Sequence, residues 1–365
     1  MIHGEHNLQA DDIKGIQNLY GTRKIGWFNY QLKAQASVGY GSDIAVLSRI
    51  PNSMELWYIG PNGSVQDSYW YDNSGWKHFE LAPSGSAVAG GIAGVSRKPG
   101  AMHIFWVGVT GSIESAFWND PSGWGRYQVA PPGSAGLGTK IAAISRKPDT
   151  LELWWIAPNG SVQDVFWYES SGWGRFELAP AGSAAVGAIA AVSTTPDHLE
   201  IWWIAPNGAV IDAFVYVSAN RGWSRFEVAP PGSASTRSSI AAVSRVPDEM
   251  EIFWIAPNRS VQNAYTLKPN PWRRFELEGP DSAAEGGIKA VSRIPGHIEV
   301  FWTGLNGSIQ DAFFYENMGW QRFQLGEPGS TAPGSNIAAV SRIDGSMETW
   351  YSSPVGALVD FYWYG

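Results

Sequence analysis

The chain has no cysteine, which excludes disulfide bonds and thiolate metal sites and leaves the redox compartment open. It has no apolar run of about 18 residues or more, so no transmembrane helix and no membrane insertion are expected. Met1 is followed by polar residues, without the apolar segment of a secretory signal, so an exported form would take its signal from outside this sequence. Only 16% of residues are charged, the net charge is −8, and the basic residues are spread evenly. Without a dense Lys/Arg cluster there is no footprint for a phosphate backbone, and nucleic acid is excluded as a partner. Six scattered histidines offer no ligand cluster, so neither a metal nor another cofactor is expected.

What is present is tryptophan, 20 of them, and 42 glycines, at regular places. The stretch IAPNGSVQDVFWYESSGWGRFELAP at 156–180 recurs nearly unchanged at 59–83 and 204–230. Alignment on IAAVSR gives unit starts at Ile44, Ile92, Ile141, Ile189, Ile240, Ile288 and Ile337, spaced by 48 to 51 residues. The one interval of 51 holds a small insertion near Ser218–Arg221. Each unit reads as four short strands: an alanine-rich one (Ile141–Arg146 in unit three), then Leu151–Ala157, Ser161–Glu169 and Gly174–Ala179. Pro158-Asn159-Gly160 supplies a turn with a preset φ and a glycine suited to positive φ. The inner segments are apolar at nearly every position, which suits a sheet covered on both faces. This period and pattern predict propeller blades.

The seventh unit ends after its third strand, and the missing GWxRFEL strand is found ahead of unit one, at Gly26–Leu32. The N-terminal strand therefore completes the last blade and closes the ring, leaving no open edge. The predicted fold is all-β: a seven-bladed propeller of four-stranded blades over residues 25–365, preceded by a short helix outside the ring.

The motif IAAVSRxPxxxElWWIaPNGSVQDafWY…GWxRFeLAPaGSA resembles the seven-bladed fucose-binding lectins of the Photorhabdus type across the whole ring. That resemblance implies repeated sugar sites for L-fucose or O-methylated sugars, no metal requirement, and a possible homo-oligomer. Residues 1–24, with HNLQADDIKGIQNLYGTRK, are similar to the last helix of the catalytic domain of matrix-metalloproteinase-like metzincins. Asp11 or Asp12 can cap that helix, Ile13, Ile16 and Leu19 form an apolar face, and Gly21 stops it. The zinc-binding HExxH is nowhere in the chain, and His3-Gly4-Glu5-His6 lacks the histidine pair on one helix face. The resemblance implies a parent in which a secreted protease precedes the ring, and no protease activity in this chain.

A sugar site needs a flat aromatic face and a few fixed donors and acceptors. Tryptophans at 57, 106, 154, 155, 202, 203, 254, 302 and 350, and at 70, 118, 167 and 363, lie on strands and read as core. Trp27, Trp76, Trp124, Trp173, Trp223, Trp272 and Trp320 occupy the GW turn of every unit, as a stacking face or as a plug under the turn. Arg49, Arg97, Arg146, Arg245, Arg293 and Arg342 end the first strand; unit four has Thr194. They fit a fork donor to hydroxyls flanking a cleft with a neighbouring turn tryptophan, or a partner for Glu55, Glu152, Glu200, Glu251, Glu299 and Glu348. Gln66, Gln163, Gln262 and Gln310, followed by Asp or Asn, mark the third strand at the opposite end of the ring, near the GSA loops. Either end can carry a sugar. Unit two has His103 and Glu114-Ser115, unit four has Ile211 and unit seven has Val359, so seven sites is an upper bound. The sequons at Asn62, Asn159, Asn258 and Asn306 sit on the turns and read as turn chemistry.

Repetition serves valency, whereas an enzyme places its acid, base and nucleophile once. The reading is a secreted, multivalent lectin module without catalysis. A hemopexin-like protein-docking ring and, less well supported, a propeller glycosidase are the alternatives; the latter needs a carboxylate pair at one place only.

Overall fold

The structure, a computed structural model, describes residues 26–219 and 221–365. The expected protease-like helix at residues 1–24 lies outside them. Among the described residues, twenty-eight strands form seven separate antiparallel sheets of four. Blade 1 runs Ile44–Leu47, Ser53–Ile59, Val65–Tyr71 and Gly75–Ala82, and blades 2 to 6 repeat it from Ile92, Ile141, Ile189, Ile240 and Ile288. In blade 7 the strands Ile337–Ile343, Ser346–Ser352 and Leu358–Tyr364 are completed by Gly26–Lys33. The pairing sets Trp27 opposite Trp363 and Tyr30 opposite Asp360. First strands pack against their neighbours around the whole ring, blade 7 against blade 1 included. The closure legible in the sequence is the closure of the fold.

The strand limits differ slightly from the sequence reading. In blade 3 the first strand stops at Ile144, and beyond it Arg146 reaches blade 4, where its Nη1 donates 2.6 Å to the Pro196 carbonyl. The insertion in blade 4 forms a 3-10 turn, Val217–Ala219. Gly160 has φ +76°, and a Cβ there would sit 2.8 Å from the Ala184 carbonyl; Arg259 takes the equivalent place in blade 5 at φ 64°.

Second strands are buried at every position in blades 1, 3, 4, 5 and 6. Seven of the strand tryptophans, Trp57, Trp154, Trp202, Trp203, Trp254, Trp302 and Trp350, are less than 2% exposed. They fall in clusters that join adjacent blades, as with Trp57 and Trp106 across blades 1 and 2. Removing an indole of ~200 Å² from water is worth roughly 5 kcal/mol before entropy is charged against it. The ring is held by tryptophan packed between sheets.

Candidate functional site

At the end where first strands finish, the arginines act as staples from one blade to the next. Arg49 donates 2.5 Å to the Tyr71 hydroxyl and also to the Pro99 carbonyl of blade 2. Arg293 and Arg342 repeat this with Tyr315 and Tyr364, and reach Asp344 and Asn52 of the following blade. The guanidinium carbons of Arg97, Arg293 and Arg342 lie 4.6–4.7 Å from the ring centroids of Trp167, Trp363 and Trp70 in the next blade. Nε approaches the buried glutamate at 3.7 Å for Arg49–Glu55, 4.0 Å for Arg146–Glu152 and 3.4 Å for Arg342–Glu348. Burial raises Glu55 and Glu152 to about 7, opposed by the Tyr71 or Tyr168 hydroxyl and then by the arginine. With 5–15% of the side chain exposed at Arg49, Arg146, Arg245 and Arg342, these guanidinium groups face protein.

Blade 4, which has Thr194 in place of the arginine, receives Lys268 from blade 5. Its Nζ lies 3.0 Å from both Glu200 Oε2 and His198 Nε2, and 2.9 Å from the Tyr216 hydroxyl. A cation supplied from the other side of the interface replaces the missing one. Nothing in the local sequence of unit four signals it.

The turn tryptophans pack edge-on against the preceding blade: Trp76 on Trp350 at 5.3 Å, Trp272 on Trp202 at 6.1 Å, Trp27 on Phe301 at 5.8 Å. Trp124, Trp223 and Trp320 are likewise half-buried, and Trp173 is the most open at 42% exposure. The arginines thus lie against third-strand tryptophans of the next blade and the turn tryptophans against second-strand rings of the preceding one, at the same blade interfaces.

Open clefts are found towards the other end, between the loop that closes one blade and the body of the next. In blade 5 a cleft of about 530 Å³ is lined by Gly232 and Ser233 on one wall and by Trp254, Ser260, Gln262, Arg274 and Glu276 on the other. Blade 2 repeats it with Ser86, Trp106, Ser112, Glu114, Arg126 and Gln128 in about 380 Å³. Blade 6 does so with Ser282, Trp302, Ser308, Gln310, Arg322 and Gln324 in about 500 Å³. Each indole donates its Nε1 hydrogen to a loop serine carbonyl, at 2.9 Å for Trp254–Ser233 and 3.2 Å for Trp106–Ser86. The turn asparagine stiffens the rim: Asn258 Oδ1 accepts from the Ser260 backbone at 3.1 Å, and Asn159 and Asn306 do the same for Ser161 and Ser308.

The floor is a hydrogen-bonded amide–carboxylate pair. Gln262 Nε2 donates to Ser260 Oγ at 2.7 Å and to Glu276 Oε2 at 3.1 Å. Gln66 with Glu80 and Gln163 with Glu177 are arranged alike. Blade 2 exchanges the two residues, Gln128 Nε2 donating to Glu114 Oε1 at 2.9 Å, so its departure from the repeat preserves the pair. Blades 4 and 7 lose it to Ile211 and Val359. The outer strand adds an arginine two residues before the acid, on the same strand face as the turn tryptophan: Trp272, Arg274, Glu276. Arg126, Arg175, Arg225 and Arg274 are exposed and meet no hydrogen-bond or ion-pair partner among the described residues, whereas Arg322 is tied to Glu278 at 3.2 Å. This arginine was missed in reading the sequence; its signal was the R that five of the seven GWxRFEL-type segments carry, His78 and Asn29 standing in the other two. No group of three metal-ligating side chains occurs among the described residues.

The architecture defines a class: a closed seven-bladed propeller with polar clefts repeated between blades. Among solved structures, the chain is similar to the BP39L lectin from Burkholderia pseudomallei, with a TM-score of 0.82 at 18% identity over 91% of this chain and 99% of that one. It is also similar to SapL1 lectin in complex with alpha methyl fucoside (TM-score 0.57, 18% identity, 80% of this chain and 98% of that one). A third is the Aleuria aurantia lectin, described as a six-bladed propeller with a novel fucose recognition mode (TM-score 0.55, 18% identity, 80% and 99%). These likenesses establish the fold. No protein-family model and no curated protein matches the sequence.

Proposed function

We propose that this chain is a multivalent carbohydrate-binding lectin module without catalysis, its sugars held in the inter-blade clefts at the turn-and-loop end. The carrying observation is the amide–carboxylate pair, which persists in blade 2 even though both of its residues are exchanged. A carboxylate, a primary amide and a free guanidinium within one cleft match the donors and acceptors of vicinal hydroxyls. The second-strand tryptophan of each cleft, Trp106 in blade 2 or Trp254 in blade 5, supplies the apolar side, and the arginines that end the first strands hold the blades together. Blades 2, 3 and 5 carry pair and free arginine together. Blade 1 has His78 in place of the arginine, and blade 6 has two glutamines. Three to five working sites per chain follow, and avidity compensates for weak single sites.

The fold neighbours whose ligands are fucosides support L-fucose or its O-methylated derivatives as the sugar. An exported protein, a homo-oligomer, and a ring that directs an attached metalloprotease to glycans complete the proposal. Titration calorimetry with L-fucose and O-methylated analogues in EDTA tests it: saturable heat at several sites per chain is expected. Absence of heat with every monosaccharide, together with capture of a protein substrate, would transfer the function to protein docking.

A further inference from the structure

The loop entering each blade is tied to the end of that blade's second strand, and blade 7 is the exception. In blades 1 to 6 a backbone N–H makes the tie, as from Gly39 to the Ile59 carbonyl and from Ala284 to the Thr303 carbonyl, both at 2.8 Å. The corresponding N–H in blade 7, that of Ala332, meets no partner among the described residues. The hydroxyl of Thr331, where the other loops carry alanine or valine, takes the Ser352 carbonyl instead, at 2.6 Å. A second tie is lost beside it. Two residues ahead of the first strands of blades 1, 3 and 5, the hydroxyls of Ser42, Thr139 and Ser238 accept a second-strand N–H at 2.9–3.1 Å. Ser335, at the same position ahead of blade 7, has a hydroxyl without a partner among the described residues.

Between this untied loop, the turn at 353–356 and the loop that enters blade 1 lies a cavity of about 260 Å³. Asn336 fixes its two loops: Oδ1 accepts from Lys140 Nζ at 2.8 Å, and Nδ2 donates 3.2 Å to the Ser42 carbonyl. Its mouth carries Tyr40, 91% exposed and the one aromatic residue in the loops between blades, together with the exposed Val355. No charged side chain lines it. Unused N–H and O–H donors in an uncharged wall suit a neutral ligand that brings an oxygen acceptor, and an open aromatic lip suits a flat C–H face. The blade 5 cleft differs, because Glu276 there is an acceptor for hydroxyls. We propose that the seam between blades 7 and 1 is a separate carbohydrate site for an N-acetylated pyranose. The acetamido carbonyl accepts from Ala332 N–H and the Ser335 hydroxyl, and the apolar face of the sugar lies on Tyr40. This rests on the lectin reading of the chain, and it gives blade 7, which lacks the amide–carboxylate pair, a site of different specificity.

Calorimetric titration of the full chain with the methyl glycosides of N-acetylglucosamine and N-acetylgalactosamine tests it, with methyl α-L-fucoside titrated in parallel. Saturable heat at one site per chain is expected from at least one N-acetylated glycoside, and it should persist after saturation with the fucoside. Tyr40→Ala, at a side chain too exposed to matter for folding, should weaken that binding about 3–10-fold and leave the fucoside titration unchanged. Ser335→Ala should weaken it as well, through the lost donor. No heat from either N-acetylated glycoside, heat abolished by prior saturation with the fucoside, or affinity unchanged in both variants overturns the seam site. The fucoside titration judges the repeated clefts separately, so fucoside heat without N-acetylglycoside heat removes the seam and leaves the lectin reading standing.

Discussion

Replacing Asp311 with asparagine should stabilise this protein at alkaline pH, which is unusual for the removal of a charged residue type. In blade 6, Asp311 is fully buried, and neither oxygen has a partner if the group is an ionised carboxylate. Burial first, and the adjacent Glu299 carboxylate second, hold its pKa well above the usual range, and the two carboxyls hydrogen-bond each other. Blades 4 and 7 contain the same pair as Glu200–Asp212 and Glu348–Asp360. Blade 5 has asparagine there already, and Asn263 Nδ2 donates 2.7 Å to Glu251 Oε1. The amide occupies the place of a protonated aspartic acid, donor for donor.

The sign follows from linkage. A carboxyl kept protonated by the fold stabilises fully below the unfolded pKa near 3.9, and that contribution is lost as pH rises towards the folded value. The slope is ~1.4 kcal/mol per pH unit for each proton held, so between pH 5 and pH 8 one such pair loses up to about 4 kcal/mol. Asp311→Asn keeps the donor and escapes that loss. Its advantage over wild type should therefore grow by about 1–4 kcal/mol across this interval, several degrees in a thermal melt. Asp311→Ala, which leaves Glu299 without the donor, should be destabilised at both pH values. Melts of all three proteins at pH 5 and pH 8 check this. An asparagine variant whose difference from wild type is the same at both pH values, or which is weaker at pH 8, would refute the shared proton.

Lys268→Met should cost about 2–4 kcal/mol, because Glu200, 1% exposed, loses its cross-blade cation; chemical denaturation reads it, and a change within error would make the contact incidental. Gln262→Ala combined with Arg274→Ala should lower the calorimetric stoichiometry for a bound sugar by about one site with the melting temperature little changed; unchanged stoichiometry would remove the blade 5 cleft from the binding set. Trp154→Ala should lose about 3–5 kcal/mol from a side chain with no exposure. Trp173→Ala, at 42% exposure, should lose far less stability, and heats of sugar binding will tell whether its face contributes to a site.

The number of blades, their four strands and the ring closure were all legible in the chain, because a propeller writes each contact seven times and a missing strand at one end reappears at the other. The identity of the core was legible for the same reason: WW and FW pairs on second strands admit no solvent between stacked sheets. The roles of the two arginine registers were not. Arg146 and Arg175 both recur, in six and five of the units, yet the first lies against the blade that follows it and the second stands free beside an amide–carboxylate pair. Lys268 stands in for an arginine two units of sequence cannot connect, since the deficit is in blade 4 and the cation comes from blade 5. Lys140, Asp43 and Asn336 come from blades 3, 1 and 7 and meet only because the ring brings their strand starts to one axis. A repeat fixes what each blade buries, through local periodicity. What lies between blades, and at their common centre, depends on distances that only the closed ring sets.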